Sequence, residues 1–180
     1  MASLPGILPD GALKTFDTPK PCDALGCAAS SGDLEVLQAA DKEALSRPDD
    51  TGNTPLIWAA DAGQATAVSI LIDANADVNV KGFLGNTALA RAARGGHIDC
   101  VVGLLACPNI DPNTHNDKLQ YPLHFAAFKR HPDVVQAMLG SGKCDPMVRD
   151  RKGRTPAEDT NDTSIQNMIL EAQSARRAGA

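Results

Sequence analysis

Apolar residues recur along this chain in short helical stripes, separated by polar links at a nearly fixed period. Leu56, Ala59 and Ala60 lie at helical spacing in "TPLIWAADAG" (54–63), and Ile98, Val101, Leu104 and Leu105 do so in "IDCVVGLLA" (98–106). Thr54 followed by Pro55 reads as a helix start, a hydroxyl N-cap before a proline at the first helical position. Gly63 reads as its stop, because a left-handed cap favours a residue without Cβ. A second helix follows at once, then an Asp/Asn/Gly-rich link with turn chemistry.

This pattern is a repeat. Gly52 and Gly85 are 33 residues apart, and the same slot recurs at Leu119 and Gly153, 34 further on each time. Downstream of it stand "NTPLIWAADAGQ", "NTALARAARGGH", "QYPLHFAAFKRH" and "RTPAEDTNDTSI". A second landmark closes the units at "NADVN" (75–79), "NIDPN" (109–113) and "KCDPM" (143–147). The units run 22–48, 49–81, 82–115, 116–149 and 150–172, between tails at 1–21 and 173–180 that read as disordered. A unit of this size cannot bury its apolar faces alone, whereas stacked neighbours can.

These residues resemble the ankyrin repeat family, whose helix pair carries a T-P-L-H-x-A-A-x-x-G-H pattern and a G-A-D-V-N-like close. "TPLIWAADAG", "NADVN" and "PLHFAA" are the nearest matches. The resemblance implies an all-α solenoid of stacked antiparallel helix pairs with projecting β-hairpin loops and polar end repeats. It also has departures. Repeat three has Ala88 for Pro and Ala90 for His. Repeat four has Leu119 for the hairpin glycine, Tyr121 for Thr and Arg130 for the helix-ending glycine. A left-handed Arg130 costs roughly 1 kcal/mol. Repeat five has Ala157 for the Leu and turns polar, as an end cap does. Trp58 shares its slot with Arg91 and Phe125, which the resemblance makes a filler between repeats.

Composition fits this reading. Hydrophobic residues make up 43% of the 180 and aromatics only 3%, which suits a core of close-packed small helices. No apolar run approaches the roughly 20 residues that span a bilayer. The start, "MASLPGILPDGALKTFDTPKP", lacks a basic region followed by an apolar one, so secretion is not expected. The five cysteines fit neither a disulfide framework nor zinc spacing and read as reduced thiols of an intracellular, cytoplasmic or nuclear, protein. Net charge is −5, with 12 acidic and 5 basic residues in 1–81 and 10 acidic and 12 basic in 82–180.

The residues that look like chemistry are absorbed by the repeat. His97 and His131 stand at the helix junction and His124 in the T-P-L-H slot, where the family uses histidine for local hydrogen bonds between helix and loop. His115 sits beside a hairpin and reads as exposed. "GNT" lacks the Gly-Lys-Ser/Thr of a nucleotide loop, and "ARGG" (93–96) is a helix end. No catalytic, metal or cofactor site is expected. Asn79 ends a Leu…Asp-Val-Asn stretch like those that asparaginyl hydroxylases modify, although the same residues are plain fold consensus.

What remains is a binding surface. By resemblance, partners meet the hairpin tips and the inner face of the first helix. The tips are Asp50, Thr51 and Asn53; Phe83, Leu84 and Asn86; Lys118, Leu119 and Gln120; and Arg151, Lys152 and Arg154. The inner-helix positions are Asp61, Arg94, Phe128 and Lys129. Phe83, Leu84, Leu119 and Phe128 are large apolar residues expected to face water, rimmed by charge as an interface centre is. The implied function is a monomeric protein-binding adaptor, scaffold or targeting factor acting by rigid display. The alternative is a strip for anionic lipid head groups or nucleic acid, formed by the basic residues of repeats four and five with Arg176 and Arg177.

Overall fold

The computed structural model describes Lys20, Pro21 and residues 23–178. Ten α-helices follow one another: α1 Ala24–Ser31, α2 Leu34–Ala39, α3 Lys42–Ser46, α4 Pro55–Asp61, α5 Ala65–Asp73, α6 Ala88–Gly95, α7 Ile98–Ala106, α8 Pro122–Phe128, α9 Pro132–Gly140 and α10 Thr163–Ala178. Short 3-10 turns occupy Phe83–Gly85 and Pro156–Glu158. The helices form two rows. The inner row packs α1, α4, α6, α8 and the Pro156 turn in sequence, and the outer row packs α2, α5, α7, α9 and α10.

Local chemistry starts and stops these helices as their sequence implies. Thr54 Oγ1 accepts from the Ile57 amide at 3.4 Å, and Thr87 Oγ1 from the Ala90 amide at 3.3 Å. Tyr121 offers α8 no side-chain cap, and Thr155 forms a capping box with Glu158. Gly32, Gly63 and Gly96 turn left-handed at φ of 77°, 75° and 76°, and Arg130 does the same at 59°. In repeat five the inner helix shrinks to the Pro156 turn, with Ala157 buried where other repeats bury leucine.

The core is a line of Ala and Leu between the rows, with Ala29, Ala59, Ala60, Leu71, Leu89, Ala92, Ala93, Leu104 and Ala126 almost or wholly without exposure. Small side chains on the inner row let helices approach closely, which is how 3% aromatics suffices. Trp58 is buried against α1, close enough to Gly26 that a Cβ there would meet its ring, and its indole N–H donates to Asp49 Oδ2 at 2.9 Å.

Two expectations are corrected. No strand is present among the described residues, so each projecting loop is one tight turn rather than a β-hairpin. One backbone bond joins the two arms of each turn and a second closes the corner between them, too little for a ladder. The C-terminal boundary also moves: the stretch read as a tail from 173 continues α10 through Ala178. Gln173 is buried and its Nε2 donates to the Pro146 carbonyl at 2.9 Å, while Arg176 reaches the Cys144 carbonyl at 3.3 Å. "SARRAGA" looked like solvated chain by composition, but Ala and Arg are strong helix formers, and terminal cations suit a helix C-terminus. Of the tail read at 1–21, all but Lys20 and Pro21 lies outside the described residues.

Candidate functional site

The loop tips are built alike. Asp49, Asn116 and Asp150 stand in one register, and each accepts two backbone amides of its own turn through Oδ1 at 2.8–3.0 Å. The backbone closes twice in each, as from the Asp49 amide to the Asn53 carbonyl (2.9 Å) and from the Gly52 amide to the Asp49 carbonyl (2.8 Å). Repeat three has Gly82 in this register, where a Cβ would collide with the Asn53 side chain. Asn53 Oδ1 instead accepts the Phe83 amide at 2.9 Å, so the neighbouring repeat supplies the missing side chain. Asp49 organises its tip although it stands outside the tip residues expected from sequence; its offset from Asn116 and Asp150 is the signal that identifies it.

Ladders then lock one repeat to the next. Gln64 Nε2 donates to the Ser30 carbonyl at 3.3 Å, His97 Nε2 to that of Asp61 at 3.1 Å, and His131 Nε2 to that of Arg94 at 3.2 Å. On the outer side, Asn79 and Asn113 each donate to one carbonyl and accept one amide of the following repeat, at 2.7–3.0 Å. His124 Nε2 donates to the Arg154 carbonyl at 3.0 Å. The histidine bonds expected to be local therefore run between repeats for these three. His115 is half-buried, not exposed, and bonds to the carbonyl of Asn116. Asn79, whose surrounding stretch resembles a hydroxylation motif as well as plain fold consensus, has both ends of its amide engaged.

Predicted contact residues divide into three groups. Asn53 and Asn86 are buried, 0% and 6% exposed, and leave the candidate surface, because their amides join adjacent tips. Asp61, Arg94 and Arg154 are half-buried and already paired. Asp61 Oδ1 lies 3.2 Å from Arg94 and 3.5 Å from the buried Arg91, and Arg154 lies 2.7 Å from Asp150 and 2.8 Å from Asp159. The rest are open. Phe83, Leu84, Leu119 and Phe128 are 37%, 43%, 39% and 58% exposed, and Asp50, Lys118, Lys129, Arg151 and Lys152 face solvent, with Thr51 and Gln120 half-buried.

Asp50 and Thr51 stand on the tip of repeat two, and the open residues of repeats three to five lie in two places. The tips of repeats three and four touch where the Asp117 amide donates to the Leu84 carbonyl at 3.1 Å, which sets Phe83 and Leu84 next to Lys118. Phe128 instead lines a concavity on repeats four and five with Arg94, Gln120, His124, Phe125, Lys129, Arg154 and Asp159. This concavity shares Gln120 and Arg154 with a hollow beneath Lys118, Arg151 and Lys152. It shares Phe128, Lys129 and Asp159 with another beside Arg130. Through these shared residues the three adjoin between α8 and the tips of repeats four and five, and together they are termed the trough.

The electrostatics of the trough are one-sided. Both of its carboxylates, Asp150 and Asp159, are held by Arg154. Burial pushes the Asp150 carboxyl upward, but bonds from Arg154 and Lys152 outweigh it and hold it below the usual range. Among the described residues, Lys118, Lys129, Arg151 and Lys152 have no carboxylate within ion-pair distance. Lys129 Nζ stands 5.9 Å from the Phe128 ring centre. His124 is driven toward the neutral form by burial. Burial pushes the thiols of Cys100 and Cys144 up to about 11, so both stay protonated and unreactive at neutral pH. No cluster of metal-ligating side chains occurs among the described residues, and no helix there is long and apolar enough to cross a membrane.

Comparison with known proteins identifies the repeat. A family model for ankyrin repeats fits three times, over residues 10–82, 25–116 and 80–150. The chain is 30% identical over 169 residues to the ankyrin repeat and KH domain-containing protein mask-1 of Caenorhabditis elegans, covering 93% of the chain and 6% of that protein. It is 32% identical over 133 residues to XBAT31 of Arabidopsis thaliana, whose name places it provisionally among E3 ubiquitin-protein ligases; 66% of the chain and 29% of that protein are covered. It is 31% identical over 134 residues to alpha-latrocrustotoxin-Lt1a of Latrodectus tredecimguttatus, covering 74% of the chain and 9% of the toxin. The chain spans less than a third of each, and their names describe unlike proteins, so the common part is the repeat array. With the tips, ladders and capped helix pairs in that register, the chain belongs to the ankyrin repeat family.

Proposed function

We propose that this chain is a protein-binding module, an adaptor, scaffold or targeting factor, that presents the tips of repeats two to five and the trough at Phe128 to a protein partner. The observation that carries this reading is the exposure of Phe83, Leu84, Leu119 and Phe128 on an array whose every junction is bonded to the next. Large apolar side chains clustered in water and rimmed by charge mark an interaction site. A rigid display loses little conformational entropy on docking, so their burial goes into affinity. Binding rather than catalysis is the role, because each histidine and buried thiol is explained by packing or by a junction bond. The reading places the protein inside the cell, as a monomer without cofactor.

The test is a Phe83→Ala, Phe128→Ala double variant, compared with wild type in proximity capture from the native cell. The expected result is loss of a discrete set of captured proteins, with affinity down about thirtyfold if the pair forms the hot spot. The melting temperature should stay within about 2 °C, as for surface substitutions. Unchanged capture would overturn the reading. So would a fall of many degrees, since the two rings would then be core.

A further inference from the structure

The trough is built for one kind of occupant, and this inference rests on the protein-binding reading. Its floor is apolar: Phe128 is the most exposed large apolar residue described, and Phe125 lies one turn before it on α8. Its rim is cationic: Lys118, Arg151 and Lys152 stand on the tip side and Lys129 on the helix side. The only carboxylates lining this trough, Asp150 and Asp159, are both paired to Arg154 and leave five cations, Lys118, Lys129, Arg130, Arg151 and Lys152, unanswered. The positive field is local, since the chain as a whole carries −5. Gln120 joins the two hollows and is half-buried; its Oε1 accepts from Asn116 Nδ2 at 3.4 Å, which leaves its amide N–H donors where a passing backbone would lie.

From this arrangement we propose that the trough binds an extended acidic segment of a protein partner, with one large apolar side chain seated on Phe128. The carboxylates on either side of that anchor face Lys118, Arg151 and Lys152 in one direction and Lys129 in the other. Charge complementarity sets orientation and on-rate, and the apolar contact sets residence time. The pairing of one apolar anchor with flanking cations favours a segment, because a flat anionic surface uses the cations and gains nothing specific from Phe128. A single-stranded nucleic acid needs a row of stacking faces, and the trough offers one exposed ring.

The test uses the full chain and fluorescence anisotropy with three labelled peptides of about twelve residues. One alternates Glu and Ser around a central Leu, one replaces that Leu by Ser, and one replaces each Glu by Lys. A phosphatidylserine vesicle and a single-stranded oligonucleotide serve as the other polyanions. The acidic peptide with Leu should bind best. Phe128→Ala should weaken it about tenfold or more, and Lys118→Glu with Lys152→Glu should do likewise, with melting unchanged in both. Preference for the Lys peptide, or equal binding of all three peptides with loss on Phe128→Ala, overturns the charge assignment and leaves the binding face standing. Stronger binding to vesicle or oligonucleotide, indifferent to Phe128→Ala, overturns the proposal in favour of a plain anionic surface. Failure of every peptide to bind overturns both the occupant and the face.

Discussion

The tips of repeats two and four close by the same pair of backbone bonds, yet one turns on a glycine and the other on a leucine. Gly52 sits at φ 82° and Leu119 at φ 57°, each at the corner that admits the chain to its inner helix. The same contrast recurs at the helix stop, where repeat two has Gly63 at 75° and repeat four has Arg130 at 59°. A side chain in this region costs roughly 1–2 kcal/mol. Repeat four therefore carries strain twice beside its inner helix. Repeat two has its one left-handed side chain, Asn75 at φ 64°, at the end of its outer helix, a residue type that tolerates this region, and it buries an indole that is also hydrogen-bonded. Strain that persists only because the surroundings hold it tends to mark a working surface. One repeat is made to hold the stack together, and the other to present side chains.

The sharpest way to break this comparison is to truncate the shared slot in each repeat. Trp58 is buried and bonded to Asp49, whereas Phe125 is half-buried at the edge of the trough. Trp58→Ala should destabilise by about 3–5 kcal/mol, within the range for a large aromatic lost from a core. Phe125→Ala should cost about 1–2 kcal/mol, because part of its surface already meets water. Urea unfolding followed by circular dichroism measures both. Equal losses would show that the two repeats do not divide the labour as described.

The legible part of this molecule was what its repeat enforces on every unit. Helix starts at Thr54 and Thr87, stops at Gly63 and Gly96, and the apolar stripes follow from spacing and local conformation, which sequence states directly. The site was legible at its tips and only partly beneath them. Asn53 and Asn86 look like polar loop residues, and their burial depends on a neighbouring tip placed some 30 residues away in sequence. Arg94 and Asp61 look like free charges, and their pairing is a contact between repeats. Arg154 reads as one more cation in a basic strip until Asp150 and Asp159 are seen to hold it. The tail from 173 reads as solvent because nothing local in it reveals its partners: Gln173 and Arg176 donate to the Pro146 and Cys144 carbonyls of the outer segment of repeat four, far back along the chain.

A smaller effect sharpens the strain side of the comparison. Leu119→Gly and Arg130→Gly should each stabilise by about 1 kcal/mol, since glycine relieves the left-handed corner and loses only part of that gain to unfolded-state entropy. Gly52→Leu should destabilise by a similar amount. Thermal melts of the three variants decide it. If the two glycine variants melt lower than wild type, those side chains contribute packing that outweighs the strain, and repeat four is not tuned for display.

The smallest effect distinguishes the repeats by pH. The T-P-L-H slot holds Ile57 in repeat two and His124 in repeat four, both nearly without exposure. Burial lowers the His124 pKa from its ordinary 6.5, opposed in part by its bond to the Arg154 carbonyl and by Asp159 and Asp150, while Arg154 adds to the lowering. The folded chain thus keeps this ring neutral where the unfolded chain protonates it. Between the unfolded value near 6.5 and the lower folded value, the unfolded state binds more protons, so stability falls as pH falls. Asp49, Asp150 and Glu158 are lowered from ordinary values of 3.8, 3.8 and 4.5, so they remain ionised through this window and do not mask it. Urea unfolding at pH 7.5 and about pH 5.5 should show wild type losing stability on acidification, and His124→Gln losing less of it, with His97 and His131 unchanged in both. Equal losses in the two proteins would mean that the ring takes up its proton in the fold, and that the histidine of repeat four is as free as a surface one.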